Sequence, residues 1–219
     1  MASELRYRRV MSTIQRLTDS CLLVTSDDGT TIIDPGFHTL QTDIIDLKTI
    51  GEVQRILVTH EHGDHVSPDF VKWLIDRGSD VTVFGNEAVA TVLSEFDIAI
   101  DNGVPSGTST EDVTHETTPM GDAPPNRAWT IDGLLTHPGD SYGPTKTAPV
   151  LALGLLTPWG STTRSLQFAR DLGPAQVVPV HDFYLSDLGR NWIYSVAKRV
   201  LGEAGIEVVT LDWGESFSL

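Results

Sequence analysis

With one cysteine, Cys21, in 219 residues, the chain has neither an intrachain disulfide framework nor a thiolate metal cluster. The expected state of Cys21 is a small, buried, inert thiol. Positive charge is also scarce: 15 Lys and Arg stand against 30 Asp and Glu, for a formal net charge of -15. There is no basic block beyond Arg6, Arg8 and Arg9. Such a surface repels phosphate backbones and anionic lipid, so neither nucleic acid nor membrane is an expected partner. No apolar run approaches bilayer-spanning length, and no apolar core of signal-peptide length follows the N-terminal arginines. A cytoplasmic protein is expected, started at Met1 or Met11, with a small molecule as partner. Homo-oligomer formation stays open.

What is present suffices for a packed core, since 40% of the residues are hydrophobic. No composition shift marks a domain boundary, so residues 1–219 read as one domain. Asp27-Asp28-Gly29 is a hairpin turn between runs at 21–25 and 30–33, and Asp34-Pro35-Gly36 closes the second run. After a mixed stretch at 39–50, read as a short helix or crossover, a strand covers 55–59. Ser67-Pro68 has the form of an N-cap followed by a first-turn proline, opening a helix that runs to Gly78. A strand at 81–84 and a helix capped by Asn86 complete this part. The Gly/Ser/Thr-rich stretch 102–110 reads as a connector between halves of about 1–108 and 109–219.

The second half repeats this outline. A hairpin turns at Asp132-Gly133 and ends in His137-Pro138-Gly139-Asp140. A strand at 149–155, a helix from about 161 to 172, a strand at 176–180 ending at His181, a helix over 187–204 and a strand at 207–211 follow. Two such halves imply an α/β protein with two mixed β-sheets packed together and helices on both outer faces.

The chemistry concentrates in His60-Glu61-His62-Gly63-Asp64-His65. On an extended segment, residues two apart point the same way, so His60 and His62 can reach one ion. A helix would splay that spacing apart. Gly63 lets the chain turn, which places Asp64 and His65 toward a second ion. Neutral imidazoles and carboxylates with an open water position are the usual form of a catalytic divalent-metal site. The bland alternative is a surface loop that happens to be rich in histidine. Further candidate ligands at other strand ends argue against it.

His60-x-His62-x-Asp64-His65 resembles the signature of the metallo-β-lactamase superfamily. The similarity extends to Asp34-Pro35-Gly36, Pro138-Gly139-Asp140 and Pro179-Val180-His181. The surroundings of Thr157-Pro158-Trp159 and His181-Asp182 resemble the lactonase-like branch that includes ascorbate-6-phosphate lactonases. The resemblance implies an αββα four-layer sandwich and two divalent metal ions, zinc first, with manganese or iron as alternatives. His60, His62 and a third histidine would hold one metal, and Asp64, His65 and His181 the other. Asp140 would bridge the two, which sit about 3.5–4 Å apart in such sites. His115 is the expected third histidine, against a first site with only two. A hydroxide activated between the metals would be the nucleophile, with Asp64 and Asp140 as the catalytic carboxylates.

Asp34 has two readings: a turn residue bonding its own backbone, or a carboxylate orienting a ligand histidine. His137 could do similar work or be a satisfied strand-end histidine, and His38 is expected in a loop, at most on the rim. For substrate binding the candidates are Tyr142, Lys146, Trp159 and Arg164; the two cations would suit an anionic group. Taken singly, each is expected to be core filler or solvated charge before it is a substrate contact. His62 stands where diiron relatives carry Glu, Asp140 stands where antibiotic-degrading relatives carry Cys, and no nuclease arm is present. The expectation is a hydrolase of a small-molecule lactone, other ester or phosphodiester. The alternatives are an iron oxidoreductase or dioxygenase on the same fold, and a non-catalytic metal-binding protein.

Overall fold

In a computed structural model of the chain, residues 11–118, 121 and 123–219 are described. Arg6, Arg8 and Arg9, and Pro119, Met120 and Asp122 within the 119–125 stretch, lie outside these residues. Strands β1 (Thr13–Arg16), β2 (Leu22–Ser26) and β3 (Gly29–Ile33) form an antiparallel meander. β4 (Arg55–Leu57) and β5 (Thr82–Phe84) add to it in parallel. Helices α1 (Phe37–Gln41), α2 (Pro68–Ile75) and α3 (Glu87–Ser94) connect them.

The second half follows the same plan. β6 (Thr108–Thr114), β7 (Pro125–Ile131) and β8 (Leu135–His137) are antiparallel. β9 (Val150–Gly154), β10 (Gln176–Val180) and β11 (Glu207–Val208) then continue in parallel. α4 (Thr162–Leu172) and α5 (Asp187–Gly202) make the crossovers. A final strand, β12 (Ser216–Ser218), returns to the first sheet and pairs with β1, setting Phe217 opposite Ile14. The sheet orders are β12-β1-β2-β3-β4-β5 and β11-β10-β9-β8-β7-β6.

Strand alternation explains the layering. Leu22 and Val24 of β2 face the second sheet, where they join Ile33, Leu57, Trp129, Leu135, Val150 and Val178 in the inter-sheet core. Leu23, Ile32 and Ile56 point the other way, onto Phe70, Val71 and Leu74 of α2 and Val89 and Leu93 of α3. On the far side, Leu151, Leu153 and Val177 pack against Leu166 and Ala169 of α4 and Ile193, Ala197 and Leu201 of α5. Each such side chain removed from water contributes about 1.5–3 kcal/mol before entropy. The result is helix, sheet, sheet, helix: the metallo-β-lactamase fold.

Caps set the helix starts. Ser67 accepts from the Phe70 amide with Pro68 in the first turn, and Asn86 accepts from Val89. Ser161 and Ser186 cap α4 and α5 in the same way.

Three details differ from the sequence expectation. The connector at 102–110 is shorter, because β6 begins at Thr108; its Thr-Ser-Thr-Glu-Asp-Val-Thr run is a half-exposed edge strand with too little apolar alternation to show. β12 is polar and three residues long, and it was not anticipated. The strand expected at 207–211 closes after Val208. Residues 39–50, expected as a short helix or crossover, hold the end of α1 and a 3₁₀ turn at Leu47–Thr49.

No helix among the described residues is long and apolar enough to cross a membrane.

Candidate metal centre

The site lies where the two sheets meet at the C-terminal ends of β4, β8 and β10. At the opposite end of β4, Arg55 donates to both carboxylate oxygens of Asp132 in the β7–β8 turn, at 3.1 and 2.8 Å. That ion pair ties the two halves together across the core.

After β4 the chain leaves the sheet at Val58 and turns through His60–His65. The backbone of this loop sits against Pro35-Gly36. A Cβ on Gly36 would lie 1.8 Å from the Asp64 carbonyl oxygen, so only glycine permits this approach. Asp34 then sets the imidazoles. Its Oδ1 accepts the Thr59 amide at 2.8 Å, and its Oδ2 accepts the Thr59 hydroxyl at 2.9 Å and His65 Nδ1 at 2.7 Å. The Thr59 hydroxyl, donating to Asp34, can accept from His60 Nδ1 at 3.0 Å. One carboxylate thus orients His65 directly and His60 through Thr59, leaving both Nε2 atoms with lone pairs toward the centre. Of the two readings of Asp34, this geometry corresponds to the orienting one.

The second half delivers single residues. His115 follows β6 and its Nδ1 donates to the Glu116 carbonyl. Asp140 follows β8, with its amide donating to Asn126 Oδ1 at 3.2 Å. His181 follows β10 in a left-handed conformation, φ 59°. Three groups of nitrogen and carboxylate atoms come within 4.8 Å of one another: His60, His62 and His115; His60, His65 and Asp140; Asp64, His65 and His181. Asp140 reaches His65 Nε2 at 3.2 Å, His115 Nε2 at 3.4 Å and His181 Nε2 at 3.2 Å. Asp64 lies 3.5 Å from His181 and 4.0 Å from His65. All seven residues expected as metal ligands therefore converge.

Their donor chemistry fits a cation. The Nε2 atoms of His65 and His115 are buried, and apart from the Asp140 carboxylate at 3.2 and 3.4 Å they make no aligned hydrogen bond among the described residues, a deficit that an ion between them would relieve. Burial, reinforced by neighbouring imidazoles, pushes His60 and His62 down toward the neutral form a metal requires. The other side of the cluster behaves oppositely. Burial would lower His181, but the charge and hydrogen bond of Asp140 prevail and lift it to about 9. His65 is likewise raised against its burial, by Asp140, Asp34 and Asp64. Asp140, despite burial, is held well below the carboxylate range by His181 and His65. In the protein alone, protons on these imidazoles balance Asp140, and a divalent cation can take their place. The fold with its His/Asp clusters implies divalent metal ions.

His137 does not reach the cluster. Its Nε2 donates to the Ser20 carbonyl at 2.9 Å and its Nδ1 accepts the Gly139 amide at 3.2 Å, while Asp34 is 3.7 Å away. It shapes the turn before Asp140 rather than orienting a ligand imidazole. His38 is no loop residue: it is buried on α1, bonded to the Tyr184 hydroxyl at 2.9 Å and stacked near Phe183. Cys21 is buried, and burial first, then Asp34, pushes its thiol up.

The cavity over the cluster, about 530 Å³, is lined by ligand residues together with Pro158 and Trp159. Trp159 stands beside His181 and His115, with ring centroids 5.9 and 6.3 Å away. Tyr142 lies behind it, its hydroxyl 2.7 Å from that of Ser165. Neither cation joins them. Arg164 forks onto Glu116 at 2.5 and 3.2 Å, and Lys146 lines a separate groove with Ser109 and Glu111. The expectation that this pair would face the site is corrected by these partners.

Several residues with a part in the site escaped sequence reading. Asn126, buried in β7, braces the Pro138–Asp140 turn, donating to the Pro138 carbonyl at 2.8 Å. Asp19 accepts the His181 amide through its carbonyl at 3.3 Å and the Phe183 amide through Oδ1 at 3.1 Å. Between them, Asp182 pairs with the buried guanidinium of Arg16 and accepts from Tyr194. Arg16 also donates to Tyr194 Oη and the Leu211 carbonyl, both at 2.9 Å. Asp19, Asp34 and His181 all adopt positive φ, three of the five non-glycine cases among the described residues, so backbone strain gathers here. No local signal in the sequence marked Arg16, Asn126 or Asp19 for these parts.

Known proteins resemble this chain in sequence and in fold. The model of the metallo-beta-lactamase superfamily matches residues 16–67, from the end of β1 through the His60–His65 loop. Protein Rv0786c of Mycobacterium tuberculosis (strain ATCC 25618 / H37Rv) is 26% identical over 190 residues, covering 80% of this chain and 86% of its own. A Parabacteroides distasonis ATCC 8503 protein classed among metal-dependent hydrolases has a TM-score of 0.69 at 23% identity, over 92% of this chain and 93% of that one. Igni18, a metallo hydrolase of the archaeon Ignicoccus hospitalis KIN4/I, gives 0.68 at 19%, over 96% and 99%. At such identities the structures share the fold. Together with the family match they support the superfamily read from the sequence.

Proposed function

We propose that the chain is a metal-dependent hydrolase of a small-molecule lactone, other ester or phosphodiester, in the lactonase-like branch and in the cytoplasm. The observation that carries this reading is the set of three ligand groups sharing His60 and His65, with Asp140 between them, at the floor of an open cavity. His60, His62 and His115 would hold one divalent ion, Asp64, His65 and His181 a second, and Asp140 both. Zinc is the first choice for this donor set, with manganese or iron as alternatives. Such ions supply Lewis acidity and a water acidic enough to act near neutral pH.

The chain's own groups do the rest. Asp34 fixes the tautomers of His65 and His60, so ligand nitrogens need no reorganisation on binding. Of the two ligand carboxylates that line the cavity, Asp64 is the more open, its side chain 27% exposed. It can accept a proton from water and return it to a leaving oxygen. Trp159 and Pro158 wall off solvent on one side. The acidic surface disfavours nucleic acid and membrane as partners.

Elemental analysis together with a screen of lactones, esters, phosphodiesters and thioesters tests the reading. Two equivalents of zinc or manganese with turnover of one class supports it. Redox-active iron with oxygen consumption and no hydrolysis favours the oxidoreductase alternative.

A further inference from the structure

The walls of the cavity say more about the substrate than its floor does. Apart from the metal-ligand candidates, the described lining residues are Gly63, Thr118, Gly121, Pro158 and Trp159. None carries a charge. Away from the metals, a carboxylate or phosphate is held most strongly by Arg or Lys, and no described lining residue is either. Arg164 is already committed to Glu116, with its guanidinium 4.6 Å from the Tyr142 ring centroid, and Lys146 faces another groove. The net charge of -15 adds a long-range penalty for anions.

One wall is aromatic and built in. Trp159 stands edge-on to His181, at 89°, with Tyr142 packed 5.2 Å behind it. A Cβ on Gly160 would fall 2.2 Å from the Tyr142 hydroxyl oxygen, so the close packing of Tyr142 in this loop depends on that glycine. A rigid indole beside the ligand cluster offers flat apolar contact with little ordering cost on binding. A cavity of about 530 Å³ matches a small organic molecule.

We infer that the substrate, outside its scissile group, is uncharged and carries a flat or branched apolar group that lies against Trp159. Phosphorylated sugar lactones are thereby disfavoured. The inference rests on the hydrolase reading for the identity of the scissile group, and not for the recognition of the remainder.

The test uses the full chain loaded with zinc or manganese and a set of phenyl-substituted γ-lactones. The phenyl ring is neutral, or carries a para-carboxylate or para-phosphate, with the scissile carbonyl unchanged. The neutral compound is expected to exceed both anions by about tenfold or more in kcat/KM, a gap of about 1.4 kcal/mol. W159A should close the gap between phenyl- and methyl-substituted lactones mainly through KM, and W159F should restore it. Calorimetric binding of the matching cyclopentanones, which cannot be hydrolysed, supplies a second readout. Equal or better handling of the charged compounds, in turnover or in binding, overturns the inference while leaving a hydrolase. Absent hydrolysis with a retained binding preference for the neutral ketone defeats the lactonase form of the hydrolase reading and supports the inference. Should W159A fail to fold, W159L and W159F carry the comparison.

Discussion

The two halves of the molecule build their share of the site differently. The first half supplies four candidate ligands in one six-residue loop, and one carboxylate, Asp34, orients two of the imidazoles through bonds of 2.7–3.0 Å. The second half supplies His115, Asp140 and His181 singly, each at a different strand end and each held by its own brace. His115 has the Glu116 carbonyl, Asp140 has Asn126, and His181 has Asp19 with the Arg16–Asp182 pair behind it. A contiguous loop fixes its ligands by local geometry. Dispersed ligands depend on strands distant in sequence coming together, and His181 draws on buried polar groups from the other half.

The difference is sharpest if ligands from each half are removed. His62→Ala and Asp140→Ala should each abolish turnover and lower the bound metal, with far-UV circular dichroism unchanged. Retained turnover in either variant would refute the shared centre. Next in size is Arg16→Met. It leaves Asp182 buried and unpaired, a loss of about 3–5 kcal/mol when one partner of a buried pair is removed. Urea denaturation should show this, with metal content falling on the His181 side. A loss no larger than that of an exposed pair would mean that the first half does not brace the second.

The same contrast governs how much could be read from the sequence. The loop was legible because its chemistry is contiguous and its spacing matches an extended strand end. The αββα layering was legible from two hairpin–strand–helix–strand runs. Asp140 and His181 were reachable through the resemblance of Pro138-Gly139-Asp140 and Pro179-Val180-His181 to the family's pattern, and His115 because that resemblance asks for a third histidine and few compete for its place. The braces were not legible. Arg16 and Asp182 are 166 positions apart, and no local pattern relates a strand arginine to an aspartate beyond a distant strand. The polar edge strands β6 and β12 were missed for a related reason, since half-exposed edges show no apolar period. Arg164 and Lys146 misled because residue type and chain proximity do not reveal a partner such as Glu116.

Asp34→Asn should cost about 10–100-fold in metal affinity, as loss of an orienting carboxylate typically does. Asn126→Ala, acting on a single ligand, should cost less. Competitive chelation measures both, and equal losses would erase the difference between one shared brace and several separate ones. Acidity separates the sides of the cluster in another way. In chelator-treated protein the His181 pKa of about 9 exceeds its unfolded value of about 6.5. Its stabilisation is therefore complete below about 6.5 and is lost as pH rises through 9. Added zinc should stabilise most at the alkaline end of this window, where no proton competes for the nitrogen. Melting temperatures of the metal-free protein that stay flat from pH 6.5 to 9 would argue against a charged His181–Asp140 pair.

The smallest effect is expected from Arg164→Ala. The arginine bonds Glu116 from a side chain that is 57% exposed, and such pairs contribute about 0–1 kcal/mol. Glu116 nevertheless bears on the site, since its carbonyl holds His115 Nδ1 and its carboxylate accepts the Tyr142 amide at 3.3 Å. If the backbone alone places His115, the variant should keep its metal and change KM for a neutral lactone by less than about twofold, well under the tenfold that 1.4 kcal/mol represents. If the side-chain pair is needed, metal should be lost from the His60, His62 and His115 group while the His181 side stays loaded. Cobalt-substituted protein would show that as loss of part of its visible absorption. The second outcome would make the dispersed ligands depend on surface contacts as well as on buried ones.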